Sequence, residues 1–147
     1  MSTDAERDAW HGLPPNAYNP HALFVGTPKI GEGTWIGPFA VVDGSGGLTI
    51  GKGCDISAGA QIYSHSTVAR CVSERRHAVV DHRATVLGDF VHVGAHATVL
   101  MGASIGHHSV IAAGAVVLEG TYVPPYSVVV GVPGRVLENA ARKWADV

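Results

Sequence analysis

Nine histidines and two cysteines are the side chains of this 147-residue chain best suited to chemistry near neutral pH. An imidazole, with an ordinary pKa of about 6.5, takes up or gives back a proton there, and a thiolate attacks carbonyl carbons. Position explains most of them without chemistry. His11 and His21 lie in an irregular opening stretch, while His96 and His108 each fall three residues after an aliphatic, with His107 beside them, where polar residues that accept positive φ are ordinary. Cys54 stands four residues after Ile50 and Cys71 sits in a polar stretch, so the two do not suggest a disulfide framework. His65 differs: it stands in Gln61-Ile62-Tyr63-Ser64-His65-Ser66, where a regular pattern stops. Two readings fit it, a general base for proton abstraction or a structural histidine anchoring a loop. Asp43, in Val42-Asp43-Gly44-Ser45, reads by residue type as a turn-former.

The pattern that stops at His65 is a repeat of six. From Leu87 an aliphatic returns at Val93, Val99, Ile105, Ile111, Val117, Val123 and Val129 without a break. That period fits neither a helix nor a simple two-residue alternation, and it is the period of hexapeptide β-helices. The position four after each aliphatic is small or β-branched (Val91, Ala97, Ala103, Ser109, Ala115), as a narrow interior requires. Six residues therefore make one short strand and one corner. The same period runs through residues 24–62, with a two-residue slip across Asp43 to Gly47 that a glycine-rich bulge absorbs.

The expected organisation is one domain over 1–147. It comprises a lead-in at 1–23 with a helical turn near Asp4 to Trp10, coils at 24–62, an extruded loop at 63–86, coils at 87–134 and a capping helix at 135–147. The loop concentrates Arg70, Glu74, Arg75, Arg76, His77, Asp81, His82 and Arg83, and an excursion that rejoins the repeat in good order favours function over decoration. Leu137, Ala140, Ala141 and Trp144 carry the helical spacing of the cap. Charged residues make up 15% and the net charge is −2, which provides no electrostatic footprint for nucleic acid. No stretch has the length for membrane insertion and the opening has no signal-peptide core, so the default expectation is cytoplasmic.

The run LGDFVHVGAHATVLMGASIGHHSVIAAGAVVLEGTYVPPYSVVVGVPGRVL resembles the hexapeptide-repeat acyltransferases, best the maltose, galactoside and polysaccharide-building acetyltransferases. The resemblance implies an all-β fold, a left-handed parallel β-helix, with the left hand coming from it alone. It implies acetyl-CoA as co-substrate with no metal required, a homotrimer with shared sites, and O-acetylation of a sugar or polysaccharide-precursor hydroxyl. An amino group on a sugar or nucleotide-linked sugar is the alternative acceptor. Counting back from Leu87-Gly88-Asp89, it makes His65 the base. It makes Asp43 the acid that holds the acceptor, and places Tyr63 and His92 around it, His92 standing where the family has an aromatic. Backbone at Ala95 and Ala113 corresponds to the pantetheine contact. Where the family has a basic phosphate contact this chain has Glu119 in Leu118-Glu119-Gly120, so that contact is lost or is replaced by Arg135, Arg142 or Lys143, Arg135 fitting the closing motif best.

Two other classes use such a scaffold. A γ-carbonic-anhydrase-like metal enzyme needs paired histidines at consecutive hexads, where this chain has Gly94-Ala95 and Leu100-Met101. A non-catalytic solenoid would be indifferent to the loss of His65.

Overall fold

The computed structural model describes residues 12–147, so the helical turn expected near Asp4 to Trp10 lies outside the described residues. Three parallel sheets wrap around one interior. The first contains β1 (Leu23–Val25), β4 (Val41–Asp43), β7 (Gln61–Ile62), β12 (Thr98–Val99) and β15 (Val116–Val117). The second contains β2 (Lys29–Ile30), β5 (Leu48–Ile50), β10 (Thr85–Leu87), β13 (Ser104–Ile105) and β16 (Tyr122–Val123). The third contains β3 (Trp35–Ile36), β6 (Asp55–Ile56), β11 (His92–Val93), β14 (Val110–Ile111) and β17 (Val128–Val130), with β18 (Arg135–Leu137) added at its end.

The hexad sets the register. Val93 pairs with Ile111 and Ile111 with Val129, each eighteen residues on, so three hexads make one coil. Ile36 pairs with Ile56, which is the two-residue slip, and Ile50 pairs with Leu87 across the inserted loop. Aliphatics therefore stack on their counterparts in the coils above and below, and Ile56, Ile62, Val93, Val99 and Ile111 are fully buried. The small hexad positions point inward with them: Cys54, Ala60, Val91, Ala97, Ala103 and Ala115 all belong to this core.

Each coil has three corners. The first corner, from first to second sheet, carries Gly26, Gly47, Gly102 and Gly120 at positive φ; the second carries Gly33, Gly53, Phe90, His108 and Tyr126; the third carries Phe39, Gly59, His96 and Gly114. His96 and His108 thus take the corner conformation expected of them. The loop leaves at the first corner as an arm: β8 (His65–Ser66) returns antiparallel on β9 (Asp81–His82), with a short helix α1 (Val68–Val72) between them.

The expected cap at 135–147 takes a different form. Arg135–Leu137 is a strand antiparallel to β17, and the helix α2 is confined to Arg142–Ala145. An open parallel end leaves unpaired amides and carbonyls, and a strand satisfies them where a helix does not. Val136 turns towards the core while Leu137 stays exposed, the period-two alternation of a strand.

Candidate active site

The first corner brings Asp43, Ser64 and His65 together. Asp43 ends β4, and the two extra residues of the slip fold the following turn back over its carboxylate. The Ser45 N–H donates to Oδ1 and the Ser64 N–H to Oδ2, both at 2.9 Å, and Oδ2 also meets Nδ1 of His65. Ser64 Oγ donates to the Asp43 carbonyl at 2.7 Å and accepts the Gly46 N–H at 2.9 Å, so the two strand ends are tied on both sides. Gly46 approaches so closely that a Cβ there would lie 2.0 Å from the Ser64 carbonyl oxygen. The site tolerates no side chain at that position.

Asp43 and Ser64 are fully buried, whereas the His65 side chain is about a third exposed. Burial pushes the Asp43 carboxyl upward, but the donors from Ser45, Ser64 and His65 outweigh it and hold the group at about 2. An ionised carboxylate on Nδ1 fixes the ring so that Nδ1 carries the proton and Nε2 presents its lone pair outward. Tyr63 stands edge-on to the ring at 5.7 Å between centroids, its hydroxyl donating to Gln61 Oε1 at 2.5 Å. His82 faces His65 from the returning strand of the arm, 6.5 Å between ring centroids. Such a site can take a proton from a hydroxyl or amine while holding the resulting imidazolium against a buried negative charge.

The remaining expected residues lie elsewhere on the prism. His92 is exposed on the third sheet and lines, with Val110 and Trp144, a cavity of about 370 Å³. Ala95 and Ala113 occupy the third corner. Gly94 lies so near the next coil that a Cβ would stand 2.5 Å from the Ala113 nitrogen. The Ala95 carbonyl accepts from Gly114, while the N–H groups of Ala95 and Ala113 donate to nothing among the described residues. Arg135, at the start of β18, borders a cavity of about 570 Å³ with Val130 to Gly134. The Asp43 oxygens face His65, Ser45 and Ser64, and the residue is buried. Residue reasoning missed Ser64, His82 and Arg83 as neighbours of His65, because no spacing in the sequence reveals how the arm returns. Among the described residues no group of three or more His, Cys, Asp or Glu side chains stands together as a metal site.

Comparison with known proteins agrees with the solenoid. The family model described as the hexapeptide repeat of succinyl-transferase matches residues 29–64 and 85–119, stopping at the arm and resuming after it. The carnitine operon protein CaiE of Escherichia coli is 29% identical over 133 residues, covering 86% of this chain and 67% of CaiE. A hexapeptide-repeat-containing acetyltransferase from Vibrio cholerae, solved with acetyl coenzyme A, superposes with a TM-score of 0.66 at 29% identity, over 94% of this chain and 78% of that one. AntD, an N-acyltransferase from Bacillus cereus solved with dTDP and coenzyme A, shares the fold with a TM-score of 0.72 at 20% identity, over 86% and 70% of the two chains. Stacked hexads, an arm at one corner and these relatives lead to one conclusion: the chain is a hexapeptide-repeat solenoid similar to the hexapeptide-repeat acyltransferases.

Proposed function

We propose that the protein transfers an acetyl group from acetyl-CoA to a hydroxyl of a sugar or polysaccharide precursor, with His65 as general base and Asp43 as its positioning residue. The observation that carries this reading is the partly exposed His65 ring bonded through Nδ1 to a buried, ionised Asp43 at the foot of the arm. The thioester supplies an activated acyl group, so the chain needs a base and a binding surface and no covalent nucleophile. Neither cysteine competes for that role, since Cys54 is sealed in the core, where burial pushes its thiol up, and Cys71 lies out on the arm.

His65 Nε2 removes the acceptor proton as the bond to the acyl carbon forms, and Asp43 stabilises the imidazolium that results. The free amides of Ala95 and Ala113 suit the amide carbonyls of a pantetheine arm. Arg135 then faces the nucleotide phosphates. His65 belongs to the first corner and these donors to the third, so one chain does not place them side by side. A homotrimer whose sites lie between neighbouring copies does, and the exposed Trp35, Phe39 and Phe90 provide apolar surface to cover.

The test is acetyl-CoA consumption against a panel of sugars and nucleotide sugars by the parent chain and His65→Ala. A loss of about a hundredfold to ten-thousandfold in kcat is expected. Undiminished transfer by the variant would remove His65 from the mechanism.

A further inference from the structure

The first corner holds another charged group, and the fold leaves it unpaired. Arg83 follows His82, the residue paired with His65 across the arm, and its N–H donates to the Ser64 carbonyl at 3.0 Å. Its backbone is therefore tied to the residue next to the proposed base. From there the side chain runs over the first corner of the next two coils. A Cβ on Gly102 would lie 2.9 Å from its Nε, and one on Gly120 3.0 Å from an Nη atom.

Positive φ alone does not explain those two glycines. At the other corners the same conformation is held by Phe39, Phe90, His96, His108 and Tyr126 as well as by Gly33, Gly53, Gly59 and Gly114, whereas at the first corner it is held by glycine alone, at Gly26, Gly47, Gly102 and Gly120, the arm taking the place of the corner in the remaining coil. Glycine there also clears a shelf on which a guanidinium lies. No side-chain partner answers it: Arg83 makes no ion pair or side-chain hydrogen bond among the described residues, although Glu119 neighbours Gly120, whereas Arg76 of the same arm is paired with Glu74 at 3.2 Å. An exposed and unpaired guanidinium lying against two glycines fits a carboxylate or a phosphate, whose paired oxygens match its fork.

We propose that Arg83 is an anion clamp for the acceptor: the molecule acylated at His65 carries a phosphate or carboxylate group that the Arg83 guanidinium holds over Gly102 and Gly120. This rests on the reading of His65 as the base, and it narrows the acceptor to an acidic one.

The experiment is calorimetric titration of inorganic pyrophosphate and of glucuronate into the full chain, Arg83→Gln, Arg83→Lys and His65→Ala. At least one anion is expected to bind the parent chain, with affinity falling about tenfold to a hundredfold in Arg83→Gln. Arg83→Lys, which keeps the charge and loses the fork, should fall between. Binding of pyrophosphate alone identifies a phosphorylated acceptor, of glucuronate alone a carboxylated one, and of both an oxyanion site without preference. Binding of neither, or equal binding by Arg83→Gln, overturns the proposal. His65→Ala is expected to retain the anion affinity while losing transfer. If it transferred normally, the base assignment would fail while the titrations still judged Arg83.

Discussion

Asp43 decides how His65 behaves, and its effect is measurable apart from catalysis. Its carboxyl, held at about 2 against the ordinary 3.8, is a depressed acid, so its contribution to stability is complete above the unfolded value. That contribution is lost as pH falls from about 3.8 through 2, and the size of the shift corresponds to roughly 2 kcal/mol. Thermal melting from pH 6 down to about 2 should show this decline in the parent chain and a flatter curve in Asp43→Asn. The same variant leaves the His65 ring without its carboxylate, and a kcat loss of about tenfold to a thousandfold is expected with little change in KM.

Elements position these residues through close backbone approach. The slip after Val42 looks from residue types like a bulge that spares the stack. In the fold it also provides Ser45 and Gly46, which close the turn over Asp43. Gly46→Ala places a Cβ 2.0 Å from the Ser64 carbonyl oxygen, whereas a Cβ on Gly114 meets nothing within 4 Å. Gly114→Ala bears only the left-handed backbone penalty, about 1 kcal/mol. Gly46→Ala should therefore melt lower and lose far more transfer activity than Gly114→Ala, and the reverse order would show that the turn does not hold the site. In the coils, Ile111 is fully buried between Val93 and Val129. Ile111→Ala should cost about 2–5 kcal/mol in denaturant unfolding with activity preserved in the fraction that stays folded.

At the scale of the molecule, the proposed site has its parts at different corners of the prism. The proposed base lies at the first corner and the free amides of Ala95 and Ala113 at the third, and the proposed trimer is what brings them together. Sedimentation equilibrium is expected to give three times the 15.2 kDa chain mass. A monomer with full transfer activity would sink the shared-site reading. Among the described residues no helix is long and apolar enough to cross a membrane.

The sequence by itself determined the solenoid, because each hexad repeats the same choice of inward aliphatic, small neighbour and corner, and repetition makes a long-range pairing readable from local spacing. It located the arm as the place where that spacing lapses, and His65 beside it. What only the tertiary structure decided was partnership. The burial of Asp43 against His65, the closure of Ser64 and Gly46 over it, the seat of Arg83 on Gly102 and Gly120 and the strand at 135–137 all depend on an irregular segment returning to the stack. There the contacts join residues of unrelated phase, and no period in the chain encodes which of them meet.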